Sequence, residues 1–213
     1  VVLNVASTGQ PVSFDPADAN LVVNEYTEYD CYDTLLDFNQ DGTDVVPALA
    51  ESWEQVDDLT YTYKIREGVK FSDGSDLTMD DVLYSLNRVR EDAYGMSYLF
   101  EHVDSFEVDE KTRTLTVHLT QPDSTWKYVP ATTPCQILKK SVVEAEGDAY
   151  GTNEGSVVGT GPYKFVSWAA DSQIVLEKNE YWWGGADNLA IDKINFYVMK
   201  DASTIALAVK SRS

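Results

Sequence analysis

Apolar and polar side chains alternate most clearly between Thr60 and Ile65, where Tyr61, Tyr63 and Ile65 take every second position and Thr60, Thr62 and Lys64 fill the rest. A period of two sends successive side chains to opposite faces of a strand, and aromatic and β-branched residues favour that conformation. The pattern predicts a strand with one buried face. A run around Ser52 to Val56 precedes it across Asp57-Asp58, whose side chains bond the local backbone and favour reversal, so a hairpin is expected. Beyond the Asp73-Gly74 turn the spacing becomes helical. Val82, Leu83, Leu86 and Val89 form one apolar stripe, Thr78 stands at the N-cap, and Asp80 and Asp81 occupy the first turn against the positive end of the helix dipole.

The remaining pattern is read the same way. Val1 to Ala6 predicts a short buried strand, ended by the loop Ser13-Phe14-Asp15-Pro16. Tyr29, Tyr32, Leu35 and Leu36, at spacings of three and four, predict a helix from Asn24 to Leu36, and Asp41-Gly42 a turn. Phe106 and Val108, then Leu115, Val117 and Leu119, alternate across Asp109-Glu110-Lys111 and predict a second hairpin that joins the first in an antiparallel meander. A short helix from Ser124 to Val129 is expected to stop before Pro130, and Ser141 to cap another that carries Val142 and Val143 to Gly147. Three strands follow, through Tyr163 to Phe165, Ile174 with Leu176, and Ile194 with Phe196 and Val198. A last helix starting at Asp201 or Ser203 carries Ile205, Leu207 and Val209.

Charge and chemistry narrow the function classes. The 16 basic against 36 acidic residues give a formal net charge of −20, which repels nucleic-acid phosphates and anionic membranes. No run of eighteen apolar residues occurs, and Val1 begins without the regions of a signal peptide, so a mature or trimmed chain is expected. Cys31 and Cys135 are compatible with one disulfide or with two free thiols. His102 and His118 lack metal-ligand spacing, and no Gly-x-Ser-x-Gly elbow is present, so no metal, cofactor or nucleophilic triad is expected. Gly159-Thr160-Gly161 is no dinucleotide fingerprint, because Pro162 and a strand follow where a helix is required. Close approach of backbone to a ligand or to a neighbouring strand accounts for these glycines better. The many acids leave a glycosidase-like carboxylate pair open. With Trp182 and Trp183 they support an alternative reading, a secreted carbohydrate-binding or glycoside-hydrolase-like module.

From Pro47 to Val89 the chain runs through an alanine, an acidic turn, T-Y-x-Y-x-I-R-x-G-V-x-F-S-D-G and a capped helix D-D-V-x-Y-S-L-x-R-V, and this order resembles the family 5 extracellular solute-binding proteins. Asn179, Glu180, Tyr181 and Trp182 resemble that family's asparagine-x-x-tyrosine-tryptophan turn. The resemblance implies an α+β fold of the periplasmic-binding-protein type (type II, three-domain), a receptor for peptide, nickel or related ABC importers, and binding without catalysis. It implies a discontinuous first lobe, residues 1–44 and 133–213, enclosing an inserted antiparallel sheet domain with a helix, residues 45–132. Its members look longer, and where they write a glycine and an acid this chain reads Lys210-Ser211-Arg212-Ser213, so a fragment lacking the third lobe is expected. Partners implied are a peptide or other small solute and the importer's membrane subunits, outside the cytoplasm, with membrane contact only through a lipid anchor. Ligand-binding candidates carried over are Ser13 and Phe14 after the first strand, Tyr32, Asp33 and Thr34, whose backbone is expected to pair with an extended ligand, and Gly159, Thr160 and Gly161.

Overall fold

The computed structural model describes residues 1–18, 22–91 and 96–211, so the expectation drawn on Arg212 and Ser213 lies outside the described residues. Strand β1 (Val2–Ser7) leads to α1 (Val22–Cys31) and the short strands β2 (Leu36–Phe38) and β3 (Val45–Pro47). Then come β4 (Ala50–Asp57), β5 (Thr60–Ile65), α2 (Met79–Glu91), β6 (Val103–Asp109) and β7 (Thr114–Leu119). The last part holds α3 (Lys140–Glu146), β8 (Tyr163–Ala169), β9 (Gln173–Lys178), β10 (Lys193–Val198) and α4 (Ala202–Ser211).

One four-stranded sheet has the order β4-β5-β7-β6. The hairpin of β4 and β5 forms as the alternation predicts, with Leu59 N–H donating to Asp57 Oδ1 in its turn (2.8 Å) and Trp53 opposite Tyr63. Tyr61, Tyr63, Ile65, Leu115 and Val117 are buried on its inner face. Helix α2 covers that face with Met79, Val82, Leu86 and Val89, each such side chain being worth about 1.5–3 kcal/mol when fully buried. Its start is a reciprocal box: Thr78 Oγ1 accepts from Asp81 N–H (3.1 Å) and Asp81 Oδ2 accepts from Thr78 N–H (3.0 Å). The second hairpin is present but is not a meander with the first. Strand β7 pairs with β5 and β6 takes the edge, because α2 intervenes between β5 and β6 and carries the chain to the far side.

The other four-stranded sheet has the order β1-β10-β9-β8, with β1 parallel to β10 and the remaining pairs antiparallel. Its core gathers Phe14, Tyr32, Leu138, Val143, Tyr150, Ile174, Leu176 and Ile194. The expectation of a buried first strand is overturned: β1 is an edge with one neighbour, and Val2 and Leu3 are 55% and 40% exposed.

Three local expectations are corrected. Helix α1 stops at Cys31, short of Leu36, because the Cys31 carbonyl accepts from Gly161 N–H (3.0 Å) and Leu36 enters β2, paired with Pro47. No helix spans Ser124 to Val129. Turns lead there into a 3-10 segment, Val129–Ala131, that runs through Pro130, whose missing N–H costs nothing in a first turn. Ser141 does not cap α3: the helix begins at Lys140, whose N–H donates to Asp81 Oδ1 from α2 (3.0 Å). Cys31 and Cys135 are buried free thiols.

The two cores are tied by a buried bidentate pair. Arg88 of α2 donates through both terminal nitrogens to Asp15 in the loop after β1, at 2.6 Å each. Ser85 Oγ also accepts from Leu138 N–H (2.9 Å), and Asp81 reaches α3 as above.

Candidate functional site

The predicted site residues fall into two groups. Ser13 and Phe14 are buried on the side of the lobe that faces Gly151: Phe14 N–H donates to the Gly151 carbonyl (2.7 Å) and Ser13 Oγ accepts from Asp15 N–H (2.9 Å). The Phe14 ring meets Phe165 and Trp168 edge to face, with centroids 5.2 and 5.8 Å away. Tyr32 is buried beside it, its hydroxyl bonded to that of Tyr150 at 2.8 Å. These rings pack in the core of the β1-β10-β9-β8 sheet.

The second group converges on Asp33. Its Oδ2 accepts from Thr160 Oγ1 (2.9 Å) and from Trp183 Nε1 (2.8 Å). Burial holds the carboxyl up at about 6, against the lowering effect of the Trp183 and Thr160 hydrogen bonds, and the charge of nearby Asp37 adds to the rise. Neither a helix cap nor a salt bridge explains Asp33, which forms no ion pair among the described residues. Thr34 is buried and its hydroxyl donates to the Leu36 carbonyl.

Gly159 and Gly161 are packed against the end of α1. A Cβ on Gly159 would lie 2.1 Å from the Cys31 carbonyl oxygen, and one on Gly161 would lie 2.6 Å from the Cys31 carbonyl carbon, so both positions exclude side chains. What they approach is the C-terminal end of α1, inside the chain, and not a strand. Backbone groups of the candidate segments are likewise engaged internally: the Asp33 carbonyl accepts from Ile137 N–H (2.9 Å), the Thr34 carbonyl from Leu49 N–H (3.1 Å) and the Gly159 carbonyl from Ser72 N–H (2.8 Å).

Two neighbours of Asp33 were not among the ligand-binding candidates carried over from the resemblance. Trp183, in the turn between β9 and β10, holds Asp33 through its indole N–H, and Arg66, just past β5, lies over its ring with the guanidinium carbon 4.5 Å from the centroid. Arg66 is itself fixed, its Nε donating to the Ala48 carbonyl (2.6 Å). The signal that could have found Arg66 is its place directly after Ile65, the last buried residue of the alternating strand. Among the described residues no group of three or more histidine, cysteine or carboxylate side chains is placed to hold a metal ion, and no helix is long and apolar enough to cross a membrane.

Asp33, Thr160, Trp183 and Arg66 thus meet at one place, the first three through hydrogen bonds and Arg66 through the Trp183 ring. The chain aligns over 99% of its length with the periplasmic binding protein DppA of Helicobacter pylori in complex with peptide STSA, at 28% identity and a TM-score of 0.86, covering 45% of that chain. It aligns likewise over 99% with the oligopeptide-binding protein AppA of Bacillus subtilis in complex with a nonapeptide, at 26% identity and a TM-score of 0.87, covering 42% of that chain. The fold class is therefore mixed α+β, of the periplasmic-binding-protein type. The description "Bacterial extracellular solute-binding proteins, family 5 Middle" matches residues 44–213, and the chain belongs to that family. Relatives include the dipeptide-binding protein of Escherichia coli, 31% identical over 92% of this chain and 41% of the relative. Another is di/tripeptide-binding protein 1 of Pseudomonas aeruginosa, 29% identical over 96% of this chain and 42% of the relative. The chain thus spans less than half the length of these relatives.

Proposed function

We propose that this chain contributes one wall of the ligand cleft in the extracytoplasmic solute-binding component of an ABC importer, that its solute is a di- or oligopeptide, and that it binds without catalysis. In this reading residues 1–44 and 133–213 form the first lobe and residues 45–132 the inserted sheet domain, with any membrane attachment through a lipid anchor. Closure on the ligand around a hinge then presents a form that the importer's membrane subunits recognise.

The observation that carries the reading is the alignment over 99% of the chain, above 25% identity, with two receptors solved with peptides bound. Asp33, Thr160 and the backbone around Gly159 and Gly161 are the proposed contacts, with Ser13, Phe14, Tyr32 and Thr34 as their neighbours. The alternative carbohydrate-binding or hydrolytic module needs open indole faces, whereas Arg66 covers Trp183 and Trp182 Nε1 is buried.

The test is a ligand screen of the purified chain by 1H–15N NMR with dipeptides, oligopeptides and oligosaccharides. Binding by one wall is weak, so saturable shifts at Asp33, Thr160 and Trp183 with peptides alone are expected, and no sub-micromolar affinity. Shifts with oligosaccharides alone, centred on Trp182, would replace this reading with the other.

A further inference from the structure

The adjacent parallel strands β1 and β10 send the chain to opposite faces of their sheet. After β1 it returns as α1, whose Thr27 shares a cavity with Val5, Ile174 and Phe196 on one face. After β10 it returns as α4, whose Ala208 and Val209 share a groove with Asn4, Ala6 and Tyr197 on the other. Where neighbouring parallel strands part in this way a crevice is left outside their carboxyl ends, because neither connection covers the gap between them. The chain has one there: a cavity of about 110 Å³ between Val5, Pro11, Ile174, Phe196 and Val198, with Ser7 and Gln10 also on its lining. Pro11 and Ile174 are buried, whereas Val5 and Phe196 stay partly exposed although they pack against the core of this sheet.

Two polar groups of the lining offer donors. Gln10 Oε1 accepts from Asp171 N–H (2.7 Å) and from Trp168 Nε1 (3.5 Å), so two donors fix which end of the amide is oxygen, and Nε2 bonds no described residue. The same bonds anchor Gln10 to the turn between β8 and β9, which holds this wall in place. Ser7 Oγ accepts from Gly9 N–H (3.3 Å), and its hydroxyl proton goes to none of the described residues. No charged side chain among the described residues lines the cavity, and the net charge of −20 disfavours an anion, so the donors suit a neutral acceptor. By comparison with apolar cavities of about 150 Å³ that take up benzene, about 110 Å³ suits a branched group of roughly four carbons.

We propose that the cavity at the carboxyl ends of β1 and β10 is a binding site for a small branched apolar group next to a neutral carbonyl. The apolar group fills the space between Val5, Ile174 and Phe196, and the carbonyl oxygen accepts from Gln10 Nε2 and Ser7 Oγ. A free amide and an apolar residue inside a peptide share that chemistry. The site uses none of the residues around Asp33 and Thr160 and does not depend on them.

The experiment is a 1H–15N NMR titration of the 213-residue chain with isovaleramide, acetamide, isovalerate and N-acetylleucine methylamide. Isovaleramide is expected to shift Val5, Ser7, Phe196 and Val198 saturably. Each methylene removed from water is worth about fourfold in affinity, so it should bind at least about tenfold more tightly than acetamide, and isovalerate should be weaker as well. Response of the same residues to N-acetylleucine methylamide assigns the site to an apolar residue of a peptide, and response to isovaleramide alone to a free amide; either supports the site. Gln10→Leu should weaken isovaleramide by about two- to tenfold, and an unchanged affinity in the folded variant overturns the carbonyl contact. No saturable shift at these residues with any probe at its solubility limit, an equal response to acetamide, or tighter binding of isovalerate overturns the proposal without any variant having to fold. The peptide-binding reading is tested at Asp33, Thr160 and Trp183 and survives each of these results.

Discussion

Replacing Asp33 by asparagine should make the protein more stable at neutral pH and leave it unchanged in acid. The carboxyl is held at about 6, above its ordinary 3.8, chiefly by burial. A carboxyl raised by folding stabilises the folded state fully below its unfolded value, near pH 4, and that contribution is lost as pH rises through about 6. The difference between 3.8 and about 6 corresponds to on the order of 3 kcal/mol at neutral pH, an upper bound because Asp33 is only half-buried. Asparagine keeps an oxygen for Trp183 and Thr160 and removes the charge. Urea midpoints for Asp33→Asn and the parent should therefore coincide at about pH 4 and separate by up to that amount at about pH 7.5, the variant being the more stable. Asp30, raised to about 7 by burial, titrates in both proteins and cancels in the difference. A variant less stable than the parent at neutral pH, or a gap that does not change with pH, would show that the Asp33 charge is satisfied in the fold.

Further outcomes follow from the supports of the site. Arg88→Met leaves Asp15 buried without its bidentate partner and should cost about 3–5 kcal/mol in urea unfolding, with Asp15→Asn in the same chain recovering part of it; additive losses would refute the pairing. Tyr150→Phe removes the partner of the Tyr32 hydroxyl and should cost about 1–2 kcal/mol, and a loss below a few tenths would mean that water replaces it. Burial pushes the Cys31 thiol up and the Cys135 thiol up to about 12, so neither should react with Ellman's reagent in the native protein and both should in denaturant; a fast native reaction would contradict their burial.

Much of the β4-β5-β7-β6 sheet was legible in the sequence because its strands bury one face. Tyr61, Tyr63 and Ile65 alternate since the core under α2 demands it, and Thr78 with Asp81 marks the helix start through contacts only three residues apart. The failures come from contacts between distant parts of the chain. An apolar run such as Val1 to Ala6 reads the same whether a strand is central or at an edge, and the edge position of β1 is set by β10 alone. The helical spacing of Tyr29, Tyr32, Leu35 and Leu36 mixed a helix, its exit and a strand, and the true end of α1 is fixed by Gly161. The order β4-β5-β7-β6 depends on where α2 carries the chain, which no local pattern records. At the site, Asp33 and Thr160 were each indicated by family resemblance, but their hydrogen bond and the joining roles of Trp183 and Arg66 exist only once both sheets are in place.

That dependence also resolves what the paired glycines are for. Read from sequence, Gly159 and Gly161 served either a ligand's approach or a neighbouring strand's, whereas the structure packs them on the helix end at Cys31 and on Tyr32. Yet the crossing they permit brings Thr160 Oγ1 within 2.9 Å of Asp33, and Asn179 Nδ2 clamps the Gly161 carbonyl at 2.8 Å while its Oδ1 accepts from Tyr181 N–H at 3.0 Å. The turn that carries Trp183 is thus tethered to the same glycine segment that aligns Thr160. A side chain at either glycine would push the segment off α1 and disturb both hydrogen bonds to Asp33 together. The close packing of the two glycines on α1 therefore sets the direction of the Asp33 carboxylate.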